Sequence, residues 1–123
     1  MSAAILTNEF PPEIYGGAGI HVKFLTQELS KLCHVEARCF GDQDVDADNV
    51  RAIGFTRKLG LNPADDRFHK IFKPLDINLQ WAAALKDIDV IHCHTWYSHF
   101  GGVLASRLLQ CPLILTTHSL EPH

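Results

Sequence analysis

A chain of 123 residues, 46% of them hydrophobic, is long enough to bury one core and too short for two domains. Its formal net charge of -3 is spread over mixed acidic and basic residues, which gives no basic face for nucleic acid and no polybasic membrane anchor. No segment approaches the ~20 apolar residues of a membrane span, and the residues Met1-Ser2-Ala3 do not resemble the positive n-region of a signal peptide. The four cysteines form no Cys-x-x-Cys pair, so we expect a cytoplasmic protein with free, buried thiols.

The first half of the sequence predicts a strand, a helix and two further strands. The continuous apolar run at residues 3–6 predicts a buried strand over 3–7, and residues 19–32 repeat apolar side chains at helical spacing. Strands are expected at 35–40 and 50–56. The acidic segment 41–48 between them is expected to be a surface loop.

The second half predicts alternating helices and strands. An irregular segment is expected at residues 58–67. Helices are expected at 73–86 and 96–109, and strands at 89–92 and 113–117. Pro74 is expected near the first turn of its helix, where proline is tolerated. The helix at 96–109 is indicated by the spacing of Phe100, Val103, Leu104 and Leu108. Strands that alternate with helices imply an α/β fold with a Rossmann-like, doubly wound parallel sheet.

A run of glycines, Gly16-Gly17-Ala18-Gly19, separates the first strand from the first helix. The first N–H groups of a helix have no intrahelical partner, and glycines leave room for an anion, so this loop favours phosphate binding. The plainer alternative is that the glycines only turn the chain. The spacing does not fit a dinucleotide fingerprint, since the third glycine would fall on Val22, and no Gly-Lys-Ser/Thr follows for a phosphate-loop NTPase.

Three polar clusters follow predicted strands. They are the glycine loop, residues 92–97 after the fourth strand, and residues 116–119 after the fifth. Ligands of open parallel sheets bind at the carboxyl ends of the strands, where these clusters are expected to converge. The sequence therefore predicts a binding cleft at this edge.

The histidines near this edge raise a metal-site alternative. Side chains alternate along a strand, so His92 and His94 face the same side, and with His118 they could form a three-histidine zinc site. No carboxylate stands beside them in the sequence to orient the rings or act as a base, so we expect no metal and no cofactor. A small metal-dependent hydrolase and a non-catalytic nucleotide-binding module remain as alternatives.

Three sequence blocks together resemble family-4 retaining glycosyltransferases, and most of all the glycogen synthases of the actinobacterial type. They are LTNEFPPEIYGGAGIHV at 6–22, DVIHCHTWY at 89–97 and TTHSLEP at 116–122. The resemblance implies a GT-B fold, in which two Rossmann-like domains face a cleft. It also implies transfer of glucose, with retention, from ADP-glucose or UDP-glucose to the non-reducing end of an α-1,4-glucan.

The resemblance also implies roles for particular residues. The glycines Gly16, Gly17 and Gly19 would lie against the donor's phosphate and sugar, and His118 would contact the transferred sugar as the catalytic residue. The acceptor side would be formed by Glu9, His94, Thr95, Trp96 and Tyr97. The sequence departs from the bacterial and plant branch by having Tyr15 in place of a lysine before the glycines and Thr95 where aspartate is frequent.

By the same resemblance, residues 1–123 are an incomplete N-terminal, acceptor-side domain, without the C-terminal nucleotide-sugar domain. That second domain supplies cations to the leaving diphosphate in the family, so we expect the isolated chain to be inactive. We also expect it to self-associate, because the helix at 96–109 and the strand at 113–115 would expose apolar surface.

Overall fold

A six-stranded sheet forms the centre of the protein, whose computed structural model describes residues 1–119. The strands are β1 (Ser2–Thr7), β2 (His34–Phe40), β3 (Asp44–Ala47), β4 (Val50–Phe55), β5 (Val90–His94) and β6 (Leu113–Thr116). The helices are α1 (Gly17–Leu29), α2 (His69–Ala84) and α3 (Trp96–Leu109), with a 3-10 turn at Asp66–Phe68 before α2. The strand order is β3-β4-β2-β1-β5-β6. No helix in the described part of the chain is both long and apolar enough to cross a membrane.

The helices cover both faces of the sheet, which confirms the predicted doubly wound architecture. Ile5 of β1 packs in one buried cluster with Val22 of α1. Leu6, the next residue of β1, packs in the other with Ile77 and Trp81 of α2. Alternate residues of the central strand therefore supply the two cores, as a strand buried on both faces requires.

The edge strand β3 lies within the segment predicted to be a loop, so that expectation was wrong. β3 runs antiparallel to β4, and the two are joined by Asp48 and Asn49, which have φ angles of 52° and 64°. Two consecutive residues with positive φ form the tight turn that hairpins favour. Every residue of β3 is exposed, so the strand has no buried apolar face by which the sequence could reveal it.

Helix α2 begins four residues before its predicted start, and Pro74 consequently lies inside the helix rather than in its first turn. A proline at this position removes one intrahelical N–H, which normally weakens a helix. Burial compensates here, because Pro74 is itself buried and its carbonyl oxygen accepts a hydrogen bond of 2.7 Å from the Asn78 amide.

Helix α3 has the predicted bounds but buries an unexpected face. Its large apolar residues Phe100, Val103 and Leu108 are 51%, 44% and 64% exposed, whereas its buried residues are the small ones, Ser98, Gly101, Gly102 and Ala105. The Gly101 N–H donates to Asn78 Oδ1 at 2.7 Å, and a Cβ atom on Gly102 would collide with the Cys93 sulfur. Small side chains thus allow α3 to approach both α2 and β5 closely.

Candidate functional site

The carboxyl ends of β1, β5 and β6 lie side by side at one edge of the sheet. His94 at the end of β5 is in register with Thr7 of β1 and with Thr116 of β6. The glycine loop follows β1, the segment from Thr95 follows β5, and His118 follows β6. The structure therefore brings the three predicted clusters to one edge of the sheet.

The glycine loop leaves open space above the start of α1. A Cβ atom placed on Gly16 or Gly17 would have no other atom within 4 Å. The N–H groups of Gly17 and Ala18 make no hydrogen bond to another described residue, and helix geometry gives them no intrahelical partner. Two donors at the positive end of a helix are thus available to an anion.

Gly19 differs from the other two glycines because a carboxylate already occupies its N–H. The Gly19 N–H donates to Glu9 Oε2 at 2.9 Å, and a Cβ atom at residue 19 would lie 2.5 Å from that oxygen. Thr7 fixes the Glu9 backbone, accepting from its N–H at 3.2 Å and donating to its carbonyl oxygen at 3.0 Å. Glu9, which the resemblance places on the acceptor side, therefore contacts the glycine loop through its carboxylate.

Four histidine rings gather beside this loop. His94 Nδ1 lies 3.0 Å from His118 Nε2, and the rings of His92 and His94 are 4.1 Å apart, as expected for side chains on one face of β5. The fourth ring belongs to His21 of α1, centred 5.3 Å from the ring of His118. Sequence reasoning missed His21, although its position two residues after Gly19 indicates that the first turns of α1 carry it toward the site.

Desolvation lowers the pKa of three of these rings, those of His92, His94 and His118. Desolvation, followed by the neighbouring histidines His92, His118, His21 and His99, lowers the pKa of His94 to about 3. Desolvation, followed by His21, also lowers the pKa of His92 and of His118, and Glu9 opposes this shift at His118. Neutral imidazoles each carry one donor and one acceptor, which suits hydrogen bonding to a polar uncharged ligand.

The histidines do not have the geometry of a metal site. Among residues 1–119, no group of three or more His, Cys, Asp or Glu side chains is placed to hold a metal ion. His92 Nε2 lies 2.7 Å from the Thr116 hydroxyl oxygen, so one ring nitrogen is already used. The arrangement therefore does not favour the three-histidine hydrolase alternative.

The turn from β5 into α3 is strained at Thr95. Its φ and ψ angles of 67° and 160° lie in a region almost restricted to glycine. The Thr95 hydroxyl donates to Asn8 Oδ1 at 3.1 Å, which joins the segment after β5 to the segment after β1. Beyond it, the rings of Trp96 and Tyr97 stack 4.1 Å apart, and Trp96 is 57% exposed.

A cavity of about 550 Å³ opens at the same edge, between the ends of β1, β2 and β4 and the start of α2. Its lining includes Asn8, Tyr15 and Tyr97, one carboxylate, Glu13, and three cations, Arg57, Lys70 and Lys73. Sequence reasoning missed these cations, because Arg57 lies between two predicted elements and only the fold brings it near α2. No ion pair within the described residues uses Lys70 or Lys73.

Comparisons with known proteins agree with this architecture. The family model described as Glycosyltransferase Family 4 matches residues 15–123. The chain is 39% identical over 122 residues to the alpha-maltose-1-phosphate synthase of Mycobacterium tuberculosis strain H37Rv, covering 99% of this chain and 29% of that protein. It is 28% identical to an uncharacterized glycosyltransferase of Methanocaldococcus jannaschii, covering 98% of this chain and 32% of that protein.

A solved structure shows the same fold. Sucrose-phosphate synthase from Thermosynechococcus elongatus superposes with a TM-score of 0.69 at 21% identity, covering 97% of this chain and 33% of that one. The mixed α/β fold is thus similar to that of a GT-B glycosyltransferase, as the sequence predicted. The chain spans about a third of the length of each of these proteins.

Proposed function

Because this chain belongs to glycosyltransferase family 4, we propose that it forms the acceptor-side domain of a retaining glucosyltransferase that uses ADP-glucose or UDP-glucose. A second, C-terminal domain would complete the nucleotide-sugar site and supply cations to the leaving diphosphate. The 123-residue chain would then transfer no glucose by itself. Donor-dependent product formation by the purified chain would contradict this.

The observation that carries the proposal is the pair of N–H groups at Gly17 and Ala18, which make no hydrogen bond to another described residue and lie at the same edge of the sheet as His118. A distal phosphate of the donor fits over these donors, because they lie at the positive end of α1 and no side chain covers them. Negative charge that develops on the leaving diphosphate would be stabilised there. The neutral ring of His118, at the same edge, would hydrogen-bond the transferred glucose.

A branched side chain at residue 17 tests the donor site. In the full-length enzyme, we expect Gly17→Val to raise the donor KM by about tenfold or more, the effect of losing one charge-assisted hydrogen bond. The melting temperature should change little, because a Cβ atom there meets open space. Gly17→Ala is the matched control with a smaller effect. Normal turnover and an unchanged donor KM in the valine variant would argue against phosphate binding at this loop.

Two acceptors fit a glucosyltransferase of this kind, the end of an α-1,4-glucan and a glucose phosphate. The glycogen-synthase resemblance of the sequence favours the glucan. The cavity cations Arg57, Lys70 and Lys73 favour a phosphorylated acceptor, since they outnumber the single carboxylate Glu13. The name of the mycobacterial relatives, alpha-maltose-1-phosphate synthase, also describes a sugar phosphate. We therefore propose glucose 1-phosphate as the preferred acceptor.

Neutralising the two lysines of α2 separates the acceptors. We expect Lys70→Gln and Lys73→Gln each to raise the KM for glucose 1-phosphate by about tenfold, since each removes one charged hydrogen-bond donor. The KM for an α-1,4-glucan should not change. Lys31→Gln is the control, because Lys31 is ion-paired with Glu28 on the exposed side of α1. Equal effects on both acceptors, or none on glucose 1-phosphate, would refute the choice of acceptor.

A further inference from the structure

The ring of His94 is enclosed by the protein and cannot touch a substrate. The residue is 0% exposed, in register with Thr7 on one side and Thr116 on the other. Its Nδ1 atom lies 3.0 Å from His118 Nε2. Its Nε2 atom is buried without a hydrogen-bond partner among the described residues. His118, in contrast, is exposed at the edge of the sheet.

This geometry selects one tautomer of His94. A neutral imidazole carries its proton on one of two nitrogens. A proton on Nε2 would leave a buried N–H group without a partner, which is the rarer kind of unpaired polar group in proteins. A proton on Nδ1 is donated to His118 Nε2 at 3.0 Å instead.

The tautomer of His94 then determines that of His118. If His118 Nε2 accepts the hydrogen bond from His94, the single proton of a neutral His118 ring resides on Nδ1. The side of His118 that faces away from His94 is consequently a hydrogen-bond donor. The ring of His21 is also centred 5.3 Å from that of His118, but among the described residues the ring of His118 hydrogen-bonds His94 and not His21.

We propose that His94 is a positioning residue, which donates from Nδ1 to His118 Nε2 and thereby makes His118 present an Nδ1–H donor to the sugar. This proposal depends on the proposed function at one point, the assignment of His118 to the transferred sugar. Because the N–H of His118 would already point toward the sugar, it need not reorient when it hydrogen-bonds a hydroxyl oxygen or a developing negative charge. A preorganised site has this advantage. The hydrogen bond made by one ring nitrogen of a histidine determines which nitrogen carries the proton.

Two variants of His94 test this assignment. The side-chain N–H of His94→Asn lies near the place of Nδ1 and keeps the donor, whereas His94→Leu fills the site without one. With ¹⁵N-labelled histidine in the full-length protein, we expect His118 Nδ1 to be protonated in the wild type and in His94→Asn, and a mixture of tautomers in His94→Leu. We expect kcat to fall about tenfold in His94→Leu, the loss of one hydrogen bond, with donor KM unchanged and His94→Asn near wild type.

Several outcomes would overturn the assignment. Protonation of His118 Nε2 in the wild type does so by itself, even if His94→Leu fails to fold. An unchanged tautomer in a folded His94→Leu variant, or a lower melting temperature with unaltered kcat, would make His94 purely structural. If His118→Ala leaves kcat unchanged, the proposed function of His118 fails instead, and the tautomer spectra show separately whether His94 orients the ring.

Discussion

Replacing His118 with alanine is expected to lower kcat of the full-length enzyme by about 100-fold or more, the scale of losing one preorganised transition-state contact. His118 is exposed, and its described side-chain hydrogen bond is the one with His94. The fold therefore depends little on it, and the melting temperature should remain near that of the wild type. Steady-state kinetics normalised to folded protein, with a thermal melt of each variant, measure both quantities.

A histidine at the opposite end of the sheet provides the control for this variant. His34 begins β2, and among the described residues its ring hydrogen-bonds Asn49 and Glu36, so His34→Ala should leave kcat unchanged. A His118→Ala protein that melts several degrees lower but keeps its kcat would show that His118 is structural. The glycine loop would then be the remaining supported part of the donor site.

Acid should destabilise the protein through His94. The pKa of this buried ring is about 3 in the folded state against an ordinary 6.5, so the unfolded state binds the proton first as pH falls. Stability due to the neutral ring is complete above pH 6.5 and is lost progressively toward pH 3. Between pH 7 and pH 5, we expect the wild type to lose about 2 kcal/mol more unfolding free energy than His94→Asn.

Urea unfolding of both proteins at the two pH values measures this difference. The asparagine variant retains His92 and His118, whose lowered pKa values therefore contribute to the acid sensitivity of both proteins. Equal losses in the two proteins would mean that another group is responsible for the acid sensitivity.

Much of the fold could be predicted because its elements have strong apolar patterns. The sequence shows a buried strand, β1, and further strands that alternate with the helices α1 and α3. This alternation is compatible with few topologies other than a parallel α/β sheet. β3 could not be found this way, since an exposed edge strand has no buried face. The sequence also did not show which face of α3 is buried. Helical spacing of Phe100 and Val103 indicated a helix, but close packing against Asn78 and Cys93 selected the face that carries Gly101 and Gly102.

The candidate site was predictable where residues directly follow a strand. The placement of Gly17, His94 and His118 at one edge follows from strand order alone. The cavity lysines and the hydrogen bond from Gly19 to Glu9 required the three-dimensional structure, because each joins residues that are distant in the sequence. The position of His94 on its strand was predictable from the sequence. Its burial was not, because the residues that pack beside it, Thr116 and His118, are distant in the sequence.

The central position of β1 has a consequence for how the chain folds as it is synthesised. Ala3 pairs with Val90, so one side of this first strand has no partner until β5 has been made. At ribosomal rates of about 5–20 residues per second, the wait is on the order of ten seconds. The apolar residue Leu6 is unprotected during that time, because it lies on the side of the sheet that α2 and α3 later cover. Chaperones that bind apolar segments of nascent chains are therefore expected to bind β1. Synthesis without such chaperones should increase aggregation of the newly made protein.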